Sequence, residues 1–297
     1  MRKHPVILGL LLLLIVGVVA FLLVSGLTTP GSMEELFSRQ NKVGIVKISG
    51  LISDSKESTD LLDKYGKDGD VRAVVIRIDS PGGGVVPSQE IYDKVIELKQ
   101  RKKVVISMGS VAASGGYYIA SAGHRIIANP GTITGSIGVI IQFSQIEKLL
   151  DKIGLKPTVI KGGKFKDVGS PVREMTADEK ALIQEVVDDI YDQFLEAVSA
   201  GRNISKEDVK RLADGKIYTG RQAMRLGLVD ELGNMEHTIM VAAKLSGIDG
   251  KPQVIYPETK RKGLLRYFIK EIISDISDSL EQTNTGINYL FRHSEAS

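Results

Sequence analysis

Cysteine is absent from the 297 residues, and histidine occurs only four times. Without a thiol the chain can run no cysteine catalysis, form no disulfide and hold no Cys-ligated zinc. The lack also suits a domain that works outside the cytosol. The histidines leave little room for a Ser-His enzyme. His4 precedes the first apolar run, His237 falls in an expected helix, and His293 lies in the tail. His124 enters a short strand and is expected to point away from the serine considered below. Charge of one sign is scarce as well. The 39 basic and 36 acidic residues leave a net +3, too little to call for nucleic acid, and no basic-aromatic groove motif occurs. No long internal repeat or low-complexity tract is present, and neither a metal nor a cofactor is expected.

One long hydrophobic run does exist. Residues 6–24 (VILGLLLLLIVGVVAFLLV) are uncharged and apolar, about the ~20 residues that span a bilayer. Arg2 and Lys3 precede the run and no basic residue follows it before Leu36, so the positive-inside rule puts the N-terminus in the cytoplasm. A cleaved signal peptide is the competing reading, but its apolar core is usually only ~7–15 residues. A retained single-pass anchor is favoured, with the rest of the chain extracytoplasmic at the cell membrane. The expected organisation is a cytoplasmic end and anchor over 1–27, a linker over 28–40, a globular unit over 41–257 and a tail over 258–297. The tail opens with Lys260, Arg261 and Lys262 ahead of Leu264, Leu265, Tyr267 and Phe268. It reads as an amphipathic or loosely ordered segment that lies on an anionic membrane surface or docks on the protein.

Strands and helices alternate through the globular unit. Strands are expected over 43–48, 71–79, 103–108, 125–128, 156–160 and 253–256, and helices near 58–65, 86–99, 117–120, 145–153, 206–213, 220–226 and 235–245. A long amphipathic helix is expected over 176–200, opened by the capping box Thr176-Ala177-Asp178-Glu179. Such alternation implies an α/β fold with a largely parallel core sheet and flanking helices.

Three loops carry candidate chemistry. Asp79-Ser80-Pro81-Gly82-Gly83-Gly84 follows a strand, and its glycines let backbone N–H groups approach a ligand. No Gly-Lys-Ser/Thr follows, so an oxyanion hole is a better reading than a nucleotide P-loop. Ser114 lies in Gly109-Ser110-Val111-Ala112-Ala113-Ser114-Gly115-Gly116, at a strand-to-helix turn where unpaired N–H groups are available to an anion. Close helix packing would favour the same small residues. The third loop holds Lys161, Lys164 and Lys166. These read equally as solvated surface lysines. One of them, buried by Phe165 and the apolar strand before it, would serve as a base if its pKa fell from ~10.4 to ~7–8. Spacing does not choose among the three. Ser136, in Thr134-Gly135-Ser136-Ile137-Gly138, is placed to aim an amine by a hydrogen bond.

Together, the stretches 72–83, 108–118, 134–139 and 163–166 resemble the signal peptide peptidase (protease IV) family over about 43–245, in order and behind an N-terminal anchor. The resemblance implies a crotonase/Clp-protease-like fold and a Ser-Lys dyad. By it, Ser114 is the nucleophile, Lys166 the general base and Ser136 the residue that orients the lysine. Gly83 and Gly115 are the oxyanion donors, with Gly82, Gly84 and Gly116 beside the substrate. The implied substrates are remnant signal peptides or other extended apolar peptides cut at the membrane. The chain resembles the short, single-repeat form, so the resemblance also implies a homo-oligomeric ring with shared active sites. A peptidase acting on a stomatin-like membrane protein, a crotonase-like acyl-CoA enzyme and a non-catalytic membrane scaffold are the alternatives.

Overall fold

The computed structural model describes residues 13–21, 41–257 and 288–290. The chain divides into two units, Met1–Asn41 and Lys42–Ser297. In the first, residues 13–21 are helical with exposed apolar side chains. Among the described residues no helix is long and apolar enough to cross a membrane. The rest of the expected anchor, the linker over 28–40 and most of the tail lie outside the described residues.

The second unit is built on a mixed sheet. Its strands are β1 (Lys42–Ser49), β2 (Val71–Ser80), β4 (Lys103–Ala113), β5 (Arg125–Ala128), β6 (Ile133–Gly135), β7 (Ile217–Thr219), β8 (Glu231–Leu232) and β9 (Gln253–Ile255). The order runs β7-β6-β4-β2-β1-β9, and β5 pairs with both β4 and β8. Every pairing is parallel except that of β6 with β7. The helices are α1 (Lys56–Lys67), α2 (Val85–Lys99), α3 (Gly115–Ser121), α4 (Glu147–Lys152), α5 (Ala177–Arg202), α6 (Lys206–Leu212), α7 (Gly220–Arg225) and α8 (Met235–Leu245). This is the expected α/β architecture with a largely parallel sheet.

The period-2 alternation of strand side chains divides the core between the two faces. Val74, Ile76, Ile78, Val104, Ile106 and Met108 face the larger cluster, with Leu62, Ile91, Tyr117 and Phe194 from α1, α2, α3 and α5. Val43, Ile45, Ala73, Val75 and Val105 face the smaller one, with Ala242 and Ala243 of α8. Because both faces are covered, β2 reads as a near-continuous apolar run.

β4 steers the chain toward the site. Its register with β2 passes from Ile78↔Met108 to Ser80↔Ala112, so Gly109–Val111 bulge opposite Asp79. A Cβ on Gly109 would lie 2.6 Å from Asp79 Cγ, and Asp79 Oδ1 accepts the Val111 N–H at 3.1 Å. The glycine makes room for the carboxylate that holds the bulge. Before the bulge β4 pairs with β5, and after it with β6. The strand expected to end at Met108 therefore continues to Ala113.

The expected strand over 156–160 does not form. The segment is irregular, and Val159 and Ile160 are 49% and 96% exposed. Its apolar residues find no neighbouring strand among the described residues, and an unpaired strand has no stability of its own.

α5 opens as expected. The Thr176 hydroxyl accepts the Glu179 N–H at 3.3 Å, and the Glu179 carboxylate accepts the Thr176 N–H at 2.9 Å. The helix closes on Asn203, whose φ of 54° is left-handed. Its C-terminal half buries Phe194, Leu195, Ala197 and Val198, whereas in the N-terminal half only Glu179 is buried.

Candidate active site

Ser114 is the first residue past β4 and the N-cap of α3, with φ 52° and ψ −117°. A non-glycine residue in this region is strained, and such strain is held where the surroundings over-determine it. Here the Ser114 N–H donates to the Gly135 carbonyl at 2.8 Å, and its carbonyl accepts the Tyr118 N–H at 2.8 Å. The side chain does not cap α3. Ser114 is only 1% exposed.

β6 brings Ser136 alongside. Ala113 pairs with Gly135, so the residues that follow, Ser114 and Ser136, leave adjacent strands ~4.8 Å apart. Ser136 also has a positive φ, 49°, and its N–H donates to the Lys216 carbonyl at 2.8 Å. Ser136 lines a pocket of about 420 Å³ together with Val139, Val187, Asp188, Tyr191 and Asp214. Two threonines tie the strands: Thr132 donates to the Gly109 carbonyl at 2.7 Å and Thr134 to that of Ala112 at 2.6 Å.

The glycine loop forms a short strand, β3 (Gly82–Gly84). On one side the Ile52 N–H donates to the Gly82 carbonyl at 2.9 Å, and the Gly84 N–H donates to the Ile52 carbonyl at 2.8 Å. The Gly82 N–H goes to Ser80 Oγ at 3.0 Å. Strand alternation therefore turns the Gly83 N–H and C=O toward the opposite edge. On that edge lies β10 (Asn288–Leu290), antiparallel, with Tyr289 opposite Gly83. A Cβ on Gly83 would lie 2.2 Å from the Ile52 carbonyl oxygen, so only glycine fits. α3, which begins at Gly115, packs against both β3 and β10. Gly116 serves close packing: a Cβ there would lie 3.2 Å from the Ser80 carbonyl oxygen.

Lys166 stands apart. It is exposed in the turn-rich segment 163–169, and no hydrogen bond joins it to Ser114 or Ser136 among the described residues. The expected burial of a lysine by the strand at 156–160 is absent, because that strand does not form. Charge pairing does separate the three lysines. Lys161 pairs with Asp167 and Lys164 with Asp178, whereas no carboxylate pairs with Lys166 among the described residues. The Lys166 turn is held at Glu179, and the Ser136 pocket is lined from the same helix by Val187, Asp188 and Tyr191. The separation from Glu179 is about 12–18 Å along α5.

His124 is engaged elsewhere. Its Nδ1 accepts the Val104 N–H at 3.1 Å, and burial, with Lys99 and Lys103 nearby, lowers its pKa. Sequence reasoning assigned no role to Asp79 or Arg173. Asp79 shapes the bulge before Ser114, and Arg173 braces the lysine loop. An aspartate at a strand end and an arginine in a polar loop carry no local signal of such long-range partners.

Known proteins match the chain across this region. Residues 96–249 match peptidase family S49, and residues 34–133 match Clp protease. A putative protease of Synechocystis sp. is 46% identical over 213 residues, covering 71% of this chain and 77% of the relative. A putative signal peptide peptidase SppA of Enterococcus faecium is 36% identical over 225 residues, covering 71% and 65%. Protease 4 of Haemophilus influenzae is 35% identical over 223 residues, covering 71% of this chain but 36% of that longer protein.

Proposed function

Since the chain belongs to peptidase family S49, the signal peptide peptidase family, and is a serine endopeptidase, we propose that it works through a Ser-Lys dyad on extended apolar peptides at a membrane. The observation that carries this reading is the strained, buried Ser114 at the head of α3, which packs against β3, whose outward edge accepts an antiparallel strand. Peptides bind sheet edges in this way. The same pairing favours a peptide over an acyl-CoA thioester.

In this reading a substrate lies along β3 in register with Gly82, Gly83 and Gly84. Ser114 Oγ attacks the scissile carbonyl carbon while Lys166 Nζ takes the hydroxyl proton. The Gly83 and Gly115 N–H groups hold the oxyanion. Collapse expels the amine, which recovers the proton from the lysine, and water then hydrolyses the acyl-serine by the same route. Ser136 aims the lysine. Remnant signal peptides are the proposed substrates, and the apolar residues 6–24 are the proposed single-pass anchor, with the catalytic unit outside the cytoplasm.

The dyad is proposed to form between subunits of a closed ring, Ser114 of one copy meeting Lys166 of the next. The distance along α5 supports this, as do the exposed Ile140, Leu149, Ile153, Leu155 and Ile160 between the two loops. The test has two parts. A fluorophosphonate probe should label Ser114, and labelling elsewhere sinks the nucleophile. Ser114→Ala and Lys166→Ala should each be inactive, and co-expression should restore part of the activity. Inactive mixed assemblies, verified by differential tags, would return both residues to one subunit.

A further inference from the structure

Arg173 is the hub of a four-residue ion chain. Its Nε donates to Asp167 Oδ2 at 2.8 Å and its Nη2 to the Asp167 carbonyl at 3.3 Å. Its Nη1 donates to Glu179 Oε2 at 2.8 Å, and its Nη2 donates to Glu179 Oε1. Lys161 completes the chain on the other oxygen of Asp167. The Glu179 side chain is 4% exposed and belongs to the capping box of α5. One planar guanidinium thus ties both the main chain and the carboxylate of Asp167 to the fixed first turn of a helix. Asp167 directly follows Lys166.

We propose that Arg173 is a positioning residue for Lys166: it fixes the turn that presents the amine and withdraws the neighbouring carboxylate from it. The proposal rests on the reading of Lys166 as the base. An Asp167 side chain released beside Lys166 would be free to pair with its ammonium, and such pairing favours the charged form. The charge state of the chain agrees. Hydrogen bonds from Arg173, with Lys161 second, hold the Asp167 carboxyl well below the usual carboxylate range, and Arg173 likewise lowers Glu179 to about 2. Both stay anionic and paired across the working range. Beside the chain, Lys164 pairs with Asp178, and Arg173 Nη1 also donates to the carbonyl of Glu174 at 3.0 Å. A further segment packs on the loop through Phe143 against Gly169 and the Ile146 N–H on the Pro171 carbonyl at 2.8 Å. It leads into Glu147, which accepts from Gln145, and Lys148.

The experiment compares pH profiles of kcat/KM on a fluorogenic apolar peptide for the full-length chain and for Arg173→Gln, Arg173→Gln/Asp167→Asn and Lys166→Ala. Arg173→Gln should move the alkaline-rising limb upward by about one pH unit. Removing the released carboxylate in the double variant should bring it back. Arg173→Lys keeps one charge without the fork and serves the same comparison if Arg173→Gln does not fold; it too should shift the limb upward. A uniform loss with an unmoved limb, or a shift that Asp167→Asn does not reverse, overturns the proposal. Turnover in Lys166→Ala overturns the base assignment itself, which the profiles distinguish from failure of the positioning role alone.

Discussion

The Ser114 N–H donates to the carbonyl of Gly135 at 2.8 Å, so the last pair of the β4–β6 ladder delivers two serines side by side. Both Ser114 and Ser136 take left-handed backbone angles there, which a mobile loop would relax. With Ser114 as nucleophile and Ser136 as the group that aims the base, their substitutions should differ in degree. Ser114→Ala should lower kcat by at least about 10³-fold. Ser136→Ala removes one hydrogen bond to an amine, worth about 1.5–3 kcal/mol, and should lower kcat roughly 10- to 100-fold with little change in KM. Equal losses in the two variants would contradict these roles.

Gly83 offers a second test. A Cβ there meets the Ile52 carbonyl oxygen at 2.2 Å and the Ile52 nitrogen at 2.6 Å. Both are backbone atoms, so no side-chain rotation relieves the clash. Gly83→Ala should push β3 off Ile52, cost about 1–3 kcal/mol of stability and abolish cleavage while the core sheet survives. Thermal unfolding and peptide turnover measure the two effects separately, and a cleaving Gly83→Ala variant would remove this edge from the site.

The core was legible because its signals are local. β2 reads as a buried strand from a near-continuous apolar run, and Thr176 and Glu179 announce the start of α5 three residues apart. The strand-to-helix turn at Ser114 was legible from the small residues around it. Long-range pairing was not. The bulge opposite Asp79 depends on a carboxylate from another strand entering the space left by Gly109. Residues 156–160 have strand composition but no partner edge. Arg173 finds Asp167 and Glu179 six residues to either side, with no periodicity to reveal it. The choice of Lys166 over Lys161 and Lys164 rests on family resemblance, and the ion pairs that occupy Lys161 and Lys164 exist only in three dimensions.

The far end of α5 supplies a stability test. Arg202, its side chain 6% exposed, pairs with Asp230 at 2.9 Å, and Asp230 also accepts the Ile126 N–H at 2.7 Å. Burial opposes the charge on Asp230, but hydrogen bonding and attraction from Arg202 outweigh it and lower its pKa. A carboxylate with a lowered folded pKa adds stability above its unfolded pKa, and that stability is lost as pH falls through the folded value. Asp230→Asn should therefore destabilise the protein most near neutral pH, with the difference from the parent shrinking in acid. Arg202→Ala should cost about 1–3 kcal/mol, less than a fully orphaned buried charge, since Arg125 at 3.6 Å and the Ile126 N–H still serve Asp230. Denaturant unfolding at several pH values measures both, and a pH-independent difference for Asp230→Asn would contradict the assignment.

The last test uses β10. Tyr289 lies opposite Gly83 on the edge where a substrate is expected to pair, so the C-terminal strand and a peptide compete for the same backbone groups. A chain ending at residue 257 lacks the competitor. Two strand hydrogen bonds at about 0.5–1.5 kcal/mol each predict a KM about 10-fold lower for an extended apolar peptide, with kcat little changed. The truncation leaves Ser114, Ser136, Lys166 and the Arg173 ion chain in place, so a fall in kcat would point to loss of assembly and would appear in size-exclusion chromatography. A synthetic peptide of residues 285–293 added to the truncated chain should raise KM again as a competitive inhibitor. If KM is unchanged by truncation and the peptide does not compete, the edge occupied by Asn288–Leu290 is not where substrate binds.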